Sequence, residues 1–111
     1  MLASHTADRT LNSTFAALAD PTRRAILDRL RRGDSPVGSI AREFTMSRPA
    51  VSKHLRILRK ARLVSERKDG RQRICTLRAE PLRDVEFWLS EYRSYWQGTL
   101  RRLAHHVETR R

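Results

Sequence analysis

The stretch that most constrains this chain is Ser47-Arg48-Pro49-Ala50-Val51-Ser52-Lys53-His54-Leu55-Arg56-Ile57-Leu58-Arg59-Lys60. It reads as a helix. Ser47 is a natural N-cap, because its hydroxyl satisfies an orphan backbone N–H of the first turn. Pro49 is tolerated there because first-turn N–H groups have no intrahelical partner. Val51, Leu55 and Leu58 recur at i, i+4, i+7 and make one apolar stripe. The other side presents Arg48, Ser52, Lys53, Arg56, Arg59 and Lys60. A short helix with one buried stripe and a face of Ser, Arg and Lys matches what a DNA major groove accepts. Base readout is expected from Ser47, Arg48, Ala50, Ser52 and Lys53 near its start. Arg48 has the fork geometry for guanine O6 and N7.

Charge supports the same reading. The 111 residues carry 24 Lys plus Arg against 12 Asp plus Glu, a formal +12. Between Arg42 and Arg78 there are 12 basic and 3 acidic residues, so +9 of that excess lies in one third of the chain. Such a surface attracts polyanions. Arg42, His54, Arg56, Arg59, Arg71 and Arg73 are the expected phosphate and wing contacts. Arg71 is placed for a narrow A·T-rich minor groove. For His54 a local hydrogen bond inside the fold is an equally good role.

The rest of the chain frames this helix. Residues 1–8 are polar and read as a flexible N-terminus. A first helix is expected from about Thr10 to Ala19. Asp20-Pro21 caps a second helix that runs to about Arg32, where Gly33 supplies the stop. Ser35-Pro36 repeats the cap-plus-proline start for a short third helix, about Val37 to Phe44. The third and fourth helices form a helix-turn-helix. Two β-prone runs around Asp69-Gly70 then read as a hairpin with a basic tip. A hairpin directly after such a helix is a wing. The expected fold is mainly α with a small β-hairpin: a winged helix-turn-helix over residues 9–80. Residues 81–111 form a long C-terminal dimerisation helix and a basic tail. Pro81 to Val107 makes a rod of roughly 39 Å. Its stripe of Leu89, Tyr92, Trp96, Leu100 and Leu103 is too long for one small domain to cover. With Leu11 and Phe15 of the first helix it is the expected homodimer interface.

Four pieces together resemble the ArsR/SmtB family of bacterial repressors: residues 15–24 (Phe-Ala-Ala-Leu-Ala-Asp-Pro-Thr-Arg-Arg), the Ser47–Leu58 helix, Ala61-Arg62-Leu63-Val64, and Arg67-Lys68-Asp69-Gly70-Arg71. The resemblance implies a homodimeric winged helix that binds an inverted repeat in promoter DNA and dimerises through its first and last helices. Two departures matter. Soft-metal sensors of the family often carry cysteines at the start of the third helix, and Ser35–Ile40 holds neither Cys nor His. Other members ligate metal along the last helix, where this chain offers His105, His106 and Glu108. Of these, His105 and Glu108 are three apart and share a face, and two ligands do not close a tetrahedral site, so neither a metal nor a cofactor is expected. Arg62 stands where the family usually has a left-handed glycine, at a cost of about 1 kcal/mol.

Other classes fit less well. No Gly-rich phosphate loop or nucleophile–base pair points to an enzyme. A non-specific architectural DNA binder shares the charge but needs no reading helix. A protein-interaction module sits poorly with a net +9. Metal or redox control through His105/His106 or Cys75 is a regulatory variant, and the effector is left open. A single cysteine suits a reducing cytoplasm. No secretory signal or run of roughly 18 apolar residues marks export or a membrane span.

Overall fold

The computed structural model describes the backbone of residues 2–109 and the side chains of residues 8–109. Eight elements follow one another: α1 (Leu2–Leu18), α2 (Pro21–Arg31), β1 (Ser35–Pro36), α3 (Val37–Glu43), α4 (Arg48–Lys60), β2 (Val64–Asp69), β3 (Gln72–Leu77) and α5 (Glu80–Thr109). The fold is a winged helix-turn-helix with a long C-terminal helix.

One hydrophobic core joins α2, α3, α4 and the sheet. Ile26, Ile40, Val51, Leu55, Leu58 and Leu63 are all fully buried in it. Burying each of these side chains contributes roughly 1.5–3 kcal/mol. The Val51–Leu55–Leu58 stripe is the inner side of α4, and it fixes which residues of that helix face outward.

The junction between α1 and α2 shows why its sequence takes the form it does. Asp20 Oδ2 accepts the Arg23 amide at 3.0 Å and caps α2, with Pro21 in the first turn. That amide bond, joined by the nearby charge of Arg23, holds the Asp20 carboxyl below the usual range despite some desolvation. The arginines of the motif turn backwards. Arg23 Nε donates to the Ala17 carbonyl at 2.7 Å and Arg24 Nη1 to the Leu18 carbonyl at 2.7 Å. They close the open carbonyls of α1, a C-terminal use of cations.

Helices α3 and α4 end alike. Met46 N donates to Ala41 O at 2.9 Å, with Thr45 at φ 53°. Leu63 N donates to Leu58 O at 2.9 Å, with Arg62 at φ 63°. Both are six-to-one Schellman closures, and both place a non-glycine residue in the left-handed region. At Arg62 the strain is offset by complete burial of Leu58 and Leu63 on either side of the turn.

Three sequence expectations need correction. Helix α1 begins at Leu2 rather than Thr10 and takes in most of the stretch read as a flexible N-terminus. Ser35 is not a helix cap. It is buried in β1, which pairs antiparallel with β3 (Ser35 opposite Cys75, Pro36 opposite Ile74), and α3 starts without a side-chain cap. The sheet therefore has three strands in the order β1-β3-β2. The wing turn is Gly70-Arg71, one residue later than expected, because Asp69 pairs with Gln72. Gly70 takes φ 62°, as the first central residue of a two-residue hairpin turn requires.

Candidate nucleic-acid interface

Helix α4 opens as its sequence dictates. Ser47 Oγ accepts the Ala50 amide at 3.3 Å, and Pro49 lies in the first turn. Arg48, Lys53 and Arg56 are exposed, while Ala50 and Ser52 are half-buried. Arg42 on α3 and Arg71 on the wing turn are exposed as well. Among the described residues, Lys53, Arg56 and Arg71 have no ion pair or side-chain hydrogen bond. Their charges are free for an external anion.

The remaining predicted contacts are partly committed inside the protein. Glu66 on β2 is the anchor, its side chain only 10% exposed. It holds Arg59 at 3.3 Å and Arg73 at 3.7 Å, which ties the recognition helix to the wing. Arg73 Nη2 also donates to Ser52 Oγ at 3.4 Å. His54 turns inward. Its Nδ1 lies 3.8 Å from Asp20 Oδ2 and has no hydrogen-bond partner among the described residues. Of the two roles open to His54, the structure places it beside α2 rather than on the outer face.

Two further acids, Glu43 and Asp34, pair with arginines inside the fold. Glu43 pairs with Arg29 of α2 at 2.9 Å. Asp34, just before β1, accepts from Arg67 at 2.9 Å, a bond that lowers its carboxyl pKa. Sequence reasoning missed Glu66 as the partner of Arg59 and Arg73. The available signal was its rarity, one of 3 acids among 12 cations between Arg42 and Arg78.

The start of α3, the start of α4 and the wing enclose a cleft of about 140 Å³. Arg42, Arg48, Arg71 and Arg73 line it together with Gly38, Ser39 and Gln72. Four guanidinium-bearing residues from three elements thus converge on one recess.

Cys75 does not fit a sensor. It is fully buried at β3, and burial together with the Glu66 charge pushes its thiol up to about 11. A redox thiol needs exposure and a lowered pKa. His105, His106 and Glu108 are exposed near the end of α5. Among the described residues no three His, Cys, Asp or Glu side chains come together as a metal site.

Helix α1 packs against α5. Phe15 meets Trp88 edge-on at 5.6 Å, and Trp88 meets Tyr92 at 5.1 Å. Leu11 and Leu89 are half-buried there. Tyr92, Trp96, Leu100 and Leu103 are about half exposed, as are Trp88 and Val107. Phe87, absent from the sequence-based set, is 78% exposed.

A capped helix with an outward basic face, set as the second helix of a helix-turn-helix and flanked by a basic wing, defines a winged helix-turn-helix transcriptional regulator rather than an enzyme. Comparison with known proteins gives the family. Residues 20–66 match the model described as "Bacterial regulatory protein, arsR family". The chain is similar to the transcriptional repressor SdpR of Bacillus subtilis, 39% identical over 82 residues, covering 74% of this chain and 91% of SdpR. It is similar in structure to the ArsR family transcriptional regulator RHA00566, with a TM-score of 0.73 and 42% identity over 81% of this chain and 93% of that one. It also resembles the homodimeric winged helix-turn-helix domain of Mb0332 from Mycobacterium bovis, with a TM-score of 0.68 and 25% identity over 82% and 83% of the two chains. The protein belongs to the ArsR family, a DNA-binding family of regulators. Among the described residues no helix is long and apolar enough to cross a membrane.

Proposed function

We propose that the protein is a homodimeric repressor that binds an inverted repeat within a promoter and blocks polymerase by occupancy. The observation that carries this reading is the exposed set Arg42, Arg48, Lys53, Arg56 and Arg71 around the capped start of α4, with Lys53 and Arg56 on the side of that helix opposite its buried stripe. Ser47, Arg48, Ala50, Ser52 and Lys53 form the set that faces base edges. Arg42, Arg56 and Arg71 take phosphates and the minor groove, with Arg59 and Arg73 joining from their places beside Glu66. Two half-sites are expected about 34 Å apart on a pseudo-palindrome. The dimer forms through Leu11, Phe15, Leu89, Tyr92, Trp96, Leu100 and Leu103. The repressor name of SdpR and the homodimer of Mb0332 support the sign and the assembly. The protein acts in the cytoplasm, where its DNA is found and its single thiol stays reduced.

Fluorescence anisotropy tests the reading. The full chain is titrated onto its own upstream DNA and onto a scrambled duplex of equal length and composition, at physiological salt. A preference of about 10³-fold or more is expected for a sequence-reading regulator. Equal affinity for both duplexes, with no site emerging from an unbiased selection, would make the protein an architectural binder instead.

A further inference from the structure

Gly38 is the second residue of α3, a helix that gains nothing from a glycine there. Its backbone has no positive φ to justify it. What it supplies is room. A Cβ on residue 38 would lie 2.8 Å from Arg48 Nη2 and 3.4 Å from Arg48 Cζ. The guanidinium of Arg48 therefore lies folded across the start of α3, in a space that a Cβ on residue 38 would narrow. This places it in the cleft with Arg42, Arg71 and Arg73. No carboxylate lines that cleft. Among the described residues, Arg73 alone of its four arginines has an acidic partner, Glu66 at 3.7 Å.

We infer that Gly38 determines what Arg48 touches on DNA: by leaving room for the guanidinium in the cleft, it makes Arg48 a phosphate-clamping residue instead of a reader of guanine. Four like charges around one recess repel each other until an anion enters. A backbone phosphate relieves that repulsion at all four. Extending Arg48 to a base edge relieves it at one. The inference deepens the DNA-binding reading and rests on it. It also revises the assignment of Arg48 to base readout that its place at the start of α4 implies.

Two variants test it, each compared with the wild type by anisotropy across a salt series and by selection of binding sites. Arg48→Ala removes the phosphate contact. The slope of log affinity against log salt is expected to fall by about 0.9 per protomer, with every sequence weakened alike. Gly38→Ala keeps the arginine but narrows that space, and because only the flexible guanidinium opposes the new methyl, the fold accommodates it. The same loss of slope is expected, now with a new preference for guanine at one base pair per half-site. Circular dichroism confirms that both variants are folded. An Arg48→Ala protein that keeps the wild-type slope and loses discrimination at one base pair overturns the inference, as does a Gly38→Ala protein with the wild-type slope and base profile. The slope is measurable on any duplex. A wild type with no preferred site therefore defeats the sequence-reading proposal separately, without deciding this one.

Discussion

The winged domain and the α5 rod divide their side chains in opposite ways. In the winged domain the apolar residues are inside and the surface is cationic; Leu55, Leu58 and Leu63 are fully buried beneath exposed Lys53, Arg56 and Arg71. Along α5 the large apolar residues are outside. Among the described residues the only fully buried side chain on this 30-residue helix is that of Pro81, while Trp96, Leu100 and Leu103 are 50%, 62% and 58% exposed. One region is complete and turned toward a polyanion. The other is a surface whose burial lies outside the single chain. Apolar exposure on this scale, continuous over a helix of about 45 Å, marks an interaction site.

The largest effect should come from breaking that second surface. Replacing Trp96 and Leu100 together by Asp leaves the core of the winged domain untouched. It is expected to yield a folded monomer in sedimentation velocity and to weaken operator binding by roughly 10²–10⁴-fold, the gain that linking two half-site contacts provides. A double variant that sediments as a dimer and binds like the wild type would remove α5 from the interface.

Within the winged domain the comparison sharpens at Glu66. Its near-buried carboxylate holds Arg59 and Arg73, which are 39% and 51% exposed. Solvent screening of those two arginines keeps the pair well below the energy of a fully buried one. Glu66→Gln is expected to cost about 1–2 kcal/mol, a fall in Tm of roughly 4–8 °C per kcal/mol. DNA binding should move the other way. Freed of their internal partner, the two arginines should steepen the salt dependence and raise affinity for non-specific duplex. Loss of both stability and non-specific affinity would mean that Glu66 positions the arginines for DNA.

How much of this was legible in the chain follows from where each signal resides. Ser47, Asp20 and the Val51–Leu55–Leu58 stripe act through local geometry, so caps, helices and the outward face of α4 were readable. Strand β1 was not, because two residues carry no period and Ser35-Pro36 imitates a helix start. Its identity depends on Cys75 and Ile74, forty residues away in sequence. Glu66 and Gly38 were opaque for the same reason: the first matters through Arg59 and Arg73, the second through Arg48, and no local pattern announces a partner on another element. The aromatic stripe of α5 was legible as apolar, whereas the contact of Trp88 with Phe15 needed the packing of α1 on α5.

Arg62 offers a smaller effect with opposite consequences for the fold and the surface. It holds φ 63° at the Schellman closure of α4. Arg62→Gly is expected to raise stability by about 0.5–1 kcal/mol, since glycine enters the left-handed region without a Cβ penalty. If the exposed guanidinium also meets a phosphate, the salt slope falls by about 0.9 per protomer. Urea unfolding and the salt series read the two separately. A destabilised Arg62→Gly protein would show that the side chain stabilises the turn by more than the strain costs.

A further effect, set by pH, lies deepest in the winged domain. The Cys75 thiol is raised to about 11, first by burial and then by the charge of Glu66. An unfolded thiol titrates near 8.5. The folded state therefore binds the proton more tightly, and its contribution to stability is complete below about pH 8.5 and lost as pH rises through 11. Urea midpoints should fall between pH 8.5 and 10.5 in the wild type, and less steeply in Cys75→Ala. At pH 8 a disulfide reagent should modify native Cys75 no faster than the chain unfolds. Rapid modification without loss of structure would place the thiol within reach of solvent, and would restore to the cationic half of the molecule a chemical input that its geometry denies it.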